Sequence, residues 1–413
     1  MGGGADFGYS VGAMGFNPLD HAVVTYQPIW GDGRRLIGAR LQVRLLDDGV
    51  DAPHLLHAMA DWWSAGSPFL LVAFDDQRPV LQALSASPPD HVWLEVPDFG
   101  PRMPPELLQA LAQARRLGHR LVQNLPLARA HPVTGSAAER FRYLLHLWPD
   151  HVRQALSAQR PADSPVLPGQ LYGAIGQVAL AAHCLDVRQA WGVVGWPDDD
   201  ALASRPAGGL GVDKGALLRV QQALLREASM ETVIGLVHSD VLLTYRLLRL
   251  VNGDAFGTGR EVSTVRQAVL LLGERRFRDA LLRLLPGTVS DPDLQPVRQA
   301  LVLRAQLMQM LMDAGAQHEL ATEIYLTGLF SNLDRWLRVP LAQALERVPL
   351  SEAITEALLA GQGPYSVYLD LARRLADPAQ SQHLPARMQE EGFALAHVNT
   401  ALLRTLARWR SPV

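Results

Sequence analysis

The stretch HSDVLLTYRLLRLVNGDAFGTGREVSTVRQAVLLLGERRFRDALL, residues 238–282, decides the fold of the second half of the chain. Apolar residues recur in it at i, i+3, i+4 and i+7, which is the period of helices that bury one face. Thr264-x-x-Gln267 forms a capping box that predicts a helix start, and Gly273 stands where a C′ glycine would end that helix. The same period recurs in the segments that follow, so the sequence predicts an all-helical domain.

The first half alternates short apolar runs with amphipathic segments. Residues 22–26 read as a strand, and residues 36–46 alternate apolar and polar side chains as a half-buried strand does. Strands alternating with helices predict a mostly parallel sheet or a barrel. Ser136 and Glu139 fit a capping box, which predicts a helix over residues 138–147. The pattern weakens after Trp148, where the last strands are not placed.

A change of composition separates the two halves. The segment PDDDALASRPAGGLGVDKG, which begins at Pro197, is rich in Pro, Gly and Asp and reads as a linker. The chain is therefore divided into a flexible tail, a barrel, a linker and a helical domain, at residues 1–20, 21–197, 198–213 and 214–413.

Composition excludes several classes of protein. Of the 413 residues, 48% are hydrophobic and 19% are charged, which is typical of a core-forming protein. A net charge of −3 predicts no attraction to nucleic acid, and no apolar run is long enough for a membrane helix. Cys184 is the single cysteine, so a reducing, cytoplasmic setting is expected. Lys214 is the single lysine, so any mechanism that needs a catalytic lysine must use it.

The second half resembles the HDOD domain, the HD-related output domain of bacterial signalling proteins. The resemblance rests on Asp240, the LLRLVN run that ends at Asn252, the helix start at 262–265, the Leu272-Gly273 pair, and residues 325–364. The related HD hydrolases bind metal through an adjacent His-Asp pair in a Gly-Leu-Leu-His-Asp pattern.

This chain has Gly328-Leu329-Phe330-Ser331-Asn332 at the corresponding place. Neither Ser331 nor Asn332 is a good ligand for a divalent metal. The resemblance therefore implies that phosphohydrolase chemistry is lost from this half.

The first half resembles a degenerate EAL domain, the (β/α) barrel that hydrolyses cyclic di-GMP. Tyr26-Gln27-Pro28-Ile29 matches the opening of its first strand, and Arg40 takes the place of the metal-binding glutamate of the next strand. Residues 118–121 match the approach to a paired-aspartate motif, which is replaced by Asn124-Leu125. Arg153 aligns near the position of the catalytic lysine. The resemblance implies that the carboxylates that would hold two divalent ions are gone.

Both resemblances together predict a multidomain fold, with a degenerate EAL-like barrel followed by a helical HDOD bundle. The residues that carry the family signature are interpreted as structural, and they are Gln27, Pro28, Asp240, Asn252, Gly273, Gly328 and Asp334. No catalytic, cofactor-binding or metal-binding residue and no cofactor is assigned, because both sites are expected to lack the acidic and imidazole groups that grip a cation.

The leading hypothesis is a non-catalytic, cytoplasmic bacterial signal-transduction protein that acts through an unknown regulatory protein partner. The sequence leaves the oligomeric state undecided and is compatible with a homodimer. The alternative is a non-hydrolysing cyclic di-GMP receptor, in which Arg40 and Arg44 would contact phosphates. An enzyme with unrelated chemistry would need a pocket of converging acids or histidines.

Other candidate motifs have simpler interpretations. His318-Glu319 lacks the second histidine of a zinc motif, and the run from Gly208 to Lys214 lacks the order of a phosphate loop. The three aspartates at 198–200 are interpreted as a solvated turn, and the methionines at 308, 310 and 312 as core filling.

Overall fold

The computed structural model describes residues 16–100, 104–131, 135, 139–206, 210–254, 256, 260–313 and 318–409. Residues 1–15 of the predicted tail lie outside the described residues. Pro18–His21 form a short 3-10 helix in which Leu19 is buried, so the loose tail does not extend to these residues.

The first half is a closed barrel with the strand order β1 to β8. Its strands are β1 (Ala22–Trp30), β2 (Leu36–Leu45), β3 (Phe69–Phe74), β4 (Val92–Val96), β5 (Arg120–Pro126), β6 (Phe141–His146), β7 (Leu171–Gly173) and β8 (Gly192–Val194). Strand β1 runs antiparallel to both β2 and β8, and all other neighbours are parallel. The barrel helices are α1 (Ala52–Ala60), α2 (Gln77–Ser85), α3 (Pro105–Leu117), α4 (Pro149–Ser157), α5 (Val178–Ala182) and α6 (Asp198–Ala203).

Apolar side chains fill one end of the barrel interior. Ile29, Leu71, Val122, Leu144 and Leu171 form a buried cluster there. Because side chains alternate along each strand, the inward-facing residues of the next layer lie two positions further along. Those residues are polar on several strands, so polar side chains lie together at the other end of the barrel interior.

The helix predicted over residues 138–147 is wrong, because Phe141–His146 form strand β6. Residues 136–138 of the predicted capping box lie outside the described residues. Each residue of β6 pairs with a residue of β5, and its last three also pair with β7. Pairing with strands on both sides therefore overrides the local helical pattern.

The second half is helical. It contains α7 (Lys214–Leu225), α8 (Met230–His238), α9 (Val241–Val251), α10 (Val265–Leu284), α11 (Gln295–Met312), α12 (His318–Phe330), α13 (Leu333–Leu337), α14 (Leu341–Leu345), α15 (Glu352–Thr355), α16 (Ser366–Leu375), α17 (Leu384–Glu390) and α18 (Leu395–Arg408). Two residue pairs, β9 (Val212–Asp213) and β10 (Thr288–Val289), form a small parallel sheet. The predicted barrel followed by a helical domain is confirmed.

Helix α10 changes direction at Gly273. Thr264 caps its first turn by accepting a hydrogen bond from the backbone amide of Gln267, as predicted, while the Gln267 side chain accepts from the amide of Ser263 and not from that of Thr264. Gly273 has a φ of 67° and a ψ of 167°, which are not helical, so the first part of α10 ends here and a second helical part begins. A side chain at this position would be strained by the backbone conformation.

The two halves share one hydrophobic core. A single buried cluster extends from the outer face of the barrel strands into the helical domain. Asn399 on α18 donates hydrogen bonds to the carbonyl oxygens of Leu19 and Ala22, at 2.8 and 2.7 Å. The ring of Trp30 on β1 meets that of Trp409 edge to face, with 6.0 Å between centroids. The last helix therefore packs on the barrel.

The segment predicted to be a linker, residues 198–213, contains regular structure. Helix α6 begins in the run of three aspartates, and Asp200 accepts a hydrogen bond from the backbone amide of Val178 at 2.7 Å. Asp199 pairs with Arg335 of the helical domain. Interpretation of the aspartates as a turn is therefore wrong, because they form the first residues of a helix, although the side chain of Asp199 is exposed to solvent.

Gly328 on α12 packs closely against the backbone of α11. A Cβ atom at this position would lie 2.7 Å from the Cα atom of Ala305 and 2.9 Å from Sδ of Met308. We expect Gly328→Ala to lower the free energy of unfolding by about 1–3 kcal/mol, because the backbone of α11 must move to admit the methyl group.

The matched control is Gly235→Ala on α8, where no atom lies within 4 Å of the added Cβ. This change is expected to raise stability by about 0.5–1 kcal/mol, because alanine favours the helix. Urea unfolding followed by circular dichroism measures both variants. Equal effects of the two substitutions would contradict the close approach at Gly328.

Candidate functional site

Five polar side chains form a connected network at the polar end of the barrel interior. Arg40 on β2 donates to both carboxylate oxygens of Glu95 on β4, at 2.6 and 2.9 Å. It also donates to Oε1 of Gln27 on β1, at 3.1 Å. Asn124 on β5 donates to Glu95 at 2.9 Å, and Nε2 of His146 on β6 lies 2.9 Å from Oδ1 of Asn124.

The network fixes the role of each polar atom. Since the amide nitrogen of Asn124 donates to Glu95, its oxygen accepts, so Nε2 of His146 carries the hydrogen. Burial lowers the pKa of His146, with opposing effects from Glu95 and Arg40, which favours the neutral imidazole that this arrangement uses. Both oxygens of Glu95 are occupied.

Arg40 and Glu95 neutralise each other inside the barrel. Their side chains are 13% and 5% exposed. Burial acts to lower the pKa of Arg40, but the neighbouring Glu95 carboxylate outweighs it and holds that pKa above its usual value. A carboxylate held by an arginine in this way is not free to bind a divalent cation or to act as a base.

The structure places only some of the residues predicted for the barrel site together. Arg40 and Asn124 lie in the network, while Leu125 faces outward into a buried apolar cluster.

The placement of Arg153 near a lysine position is wrong. Arg153 lies on α4, its side chain is 76% exposed, and it pairs with Asp150. Pro28 on β1 accepts a hydrogen bond from the amide of Gly195, at 2.8 Å.

Two residues of the network, Glu95 and His146, were not predicted. The expectation that this site keeps no acidic or imidazole group is wrong, because one of each remains. Glu95 was visible as the one charged residue of the apolar run VWLEV, and a buried acid is rarely found without a partner. His146 carries no comparable signal, because its place depends on β6 being a strand.

An arginine also occupies the corresponding place in the helical domain. Arg304 on α11 donates to Oγ of Ser331 at 2.7 Å and to Oδ1 of Asn332 at 3.2 Å. Arg373 on α16 donates to the backbone oxygen of Ser331 at 3.0 Å. Burial lowers the pKa of Arg304 to about 10, so its guanidinium still carries a positive charge at neutral pH. A fixed cation therefore contacts the segment that the HD pattern would use for metal.

Asp240 and Asn252 flank helix α9. Asp240 caps its start by accepting a hydrogen bond from the amide of Leu243, and its other oxygen pairs with the buried Arg298 of α11. Asn252 follows the end of α9, and its side chain bonds both backbone groups of Val262 at 2.8 Å. These two residues fix α9 to its neighbours by hydrogen bonds.

The remaining residues singled out in the sequence lie outside the two arginine-centred networks. Lys214 is exposed at the first position of α7, and Asp334 is half-buried in α13. Cys184 is buried, and burial raises the pKa of its thiol to about 12. The methionines at 308, 310 and 312 pack in or against the core. Residues 207–209 and the side chain of His318 lie outside the described residues.

The described residues contain neither a cluster of metal-binding side chains nor a helix suited to a membrane. Within this part of the chain, no group of three or more His, Cys, Asp or Glu side chains is arranged to hold a metal ion. None of the described helices combines the length and hydropathy that a membrane span requires.

Comparison with known proteins identifies a domain within the helical half. Residues 214–348 match the family model of the HDOD domain, so the chain contains an HDOD domain, as the sequence predicted. The chain is also similar to the cyclic di-GMP phosphodiesterase CdgJ of Vibrio cholerae serotype O1, with 28% identity over 178 residues that cover 43% of this chain and 41% of that protein. The chain spans about two fifths of the length of the curated relatives it matches.

Two solved structures overlap parts of the chain. The MmoQ response regulator of Methylococcus capsulatus aligns with a TM-score of 0.38 and 19% identity, over 45% of this chain and 94% of that one. The EAL domain of FimX from Xanthomonas citri, solved in complex with c-diGMP, aligns with a TM-score of 0.26 and 14% identity, over 43% of this chain and 86% of that one.

Proposed function

We propose that this chain is a non-catalytic bacterial signal-transduction protein that acts in the cytoplasm by binding a regulatory protein partner. The observation that carries the proposal is the contact of Arg40 with Glu95. The one carboxylate that remains in the barrel network has both oxygens hydrogen-bonded, and the same arginine stands where the resemblance to EAL domains implies a metal-binding glutamate.

The helical half supports the same proposal. Arg304 contacts Ser331 and Asn332, the two residues at the place of the metal-binding pair of HD hydrolases. A guanidinium repels a divalent cation, so metal-assisted hydrolysis would need a site elsewhere. The fold itself does not depend on the lost ligands, because its stability comes from packing.

A direct assay tests the proposal. The full chain is incubated with cyclic di-GMP and either Mg²⁺ or Mn²⁺, and the products are separated by chromatography. We expect no hydrolysis by the unaltered chain and none by Glu95→Gln. Hydrolysis by the unaltered chain that Glu95→Gln abolishes would overturn the proposal, because it would show a working site around Glu95.

Calorimetry separates the alternative, a receptor that binds cyclic di-GMP without cleaving it. We expect no heat when the nucleotide is added at micromolar concentration, because the guanidinium of Arg40 already binds Glu95. Saturable binding that the double variant Arg40→Met, Glu95→Gln removes would favour the receptor over the protein-binding module.

A further inference from the structure

The helical domain has a groove of about 870 Å³ on its surface. The start of α10, helices α12, α14 and α15, and the loops beside them line it. Its floor is apolar and consists of Leu326, Leu345, Val348 and Ile354, all of them buried. Leu359 adds an apolar side chain at its edge and is 45% exposed. A groove of this volume holds several side chains of a bound molecule.

Negative charge surrounds this floor. Glu261, Glu319 and Glu346 line the groove and are exposed, and among the described residues none of them forms an ion pair. A fourth lining residue, Glu323, accepts a hydrogen bond from the hydroxyl of Tyr365 at 2.7 Å.

Arg266 does not offset this charge. It is the one arginine among the residues described as lining the groove, and its guanidinium forms an ion pair with Glu231, which lies outside the groove. Arg266 and Thr322 also line a second cavity of about 320 Å³, so the two cavities adjoin. The adjoining cavity lengthens the surface that an elongated segment can occupy.

We infer that this groove binds a basic amphipathic segment of a partner protein, with apolar side chains on the floor and Lys or Arg side chains against the glutamates. The inference rests on the proposed function and adds the chemical character of the partner segment. Charge complementarity selects this occupant, because the same glutamates repel anionic lipid surfaces and cyclic dinucleotides. Helices that present an apolar stripe to a groove are a common mode of peptide recognition.

Fluorescence anisotropy with the full chain tests the inference. The probe is a labelled helical peptide with leucine on one face and lysine on the other, and the comparison peptide has glutamate in place of every lysine. We expect the lysine peptide to bind, the glutamate peptide not to bind, and the affinity to fall as salt is added.

The combined variant Glu261→Gln, Glu319→Gln, Glu346→Gln is expected to weaken binding by about tenfold or more. The matched control is Asp61→Asn, Asp76→Asn, Glu106→Gln, which removes three exposed charges from the barrel instead. Leu359→Ser, at the exposed edge, tests the apolar contribution without altering the core, and it is also expected to weaken binding.

Three results would overturn the inference. One is equal weakening by the groove variant and the control, which would mean that only net charge matters. Another is stronger binding of the full chain to phosphatidylserine vesicles than to neutral ones. The third is self-association, measured by sedimentation, that the groove variant abolishes, because a second copy would then be the occupant. None of these results bears on the hydrolysis assay, so the proposed function is tested separately.

Discussion

Replacing Arg298 with methionine is expected to lower the free energy of unfolding by about 3–5 kcal/mol, because it leaves a buried carboxylate without its counter-charge. Arg298 pairs with Asp240, and the two side chains are 2% and 1% exposed. Arg298 also donates to the carbonyl oxygen of Gly211 at 2.7 Å and lies over the ring of Trp336, 4.7 Å from its centroid. One substitution therefore removes contacts to the start of α9, to α13 and to Gly211, the residue before β9.

The matched control is Arg335→Met, which removes the same type of side chain from an exposed ion pair. Arg335 and its partner Asp199 are 35% and 94% exposed. Exposed pairs contribute little, so this variant is expected to lose less than about 1 kcal/mol. Urea unfolding at neutral pH, followed by tryptophan fluorescence, measures both variants. A loss at Arg298 no larger than that at Arg335 would show that Asp240 finds another partner.

The helical half could be predicted because its signals are local. The N-cap at Thr264, the glycine at 273 and the apolar period are all contained in neighbouring residues, and each is found in the structure. Strand β6 was mispredicted since its state depends on β5 and β7, whose sequences lie some distance away. Strands β7 and β8 are three residues each, too short to show a period.

The candidate site was predicted less completely than the fold. The resemblance located Arg40 and Asn124, but their partner Glu95 lies on a third strand, and only closure of the barrel brings the three side chains together. Arg304 was missed for the same reason. It lies on α11, more than twenty residues before Ser331, and the packing of α11 against α12 creates the contact.

The Arg40–Glu95 pair gives the second large prediction. We expect Arg40→Met to lower the free energy of unfolding by about 3–5 kcal/mol, since Glu95 would remain buried with only Asn124 as a partner. In the double variant Arg40→Met, Glu95→Gln, the uncharged amide can still accept the hydrogen bond of Asn124. Most of the lost stability should therefore return, to within about 1–2 kcal/mol of the unaltered chain.

Urea unfolding of the two single variants and the double variant closes a cycle that isolates the coupling between the two side chains. A large coupling means that Arg40 acts as the counter-ion of the buried Glu95 carboxylate, and that the barrel interior depends on this charge balance. Additive losses would mean that the two side chains act independently. In that case Glu95 would be free for other chemistry, and the case for a non-catalytic barrel would lose its strongest support.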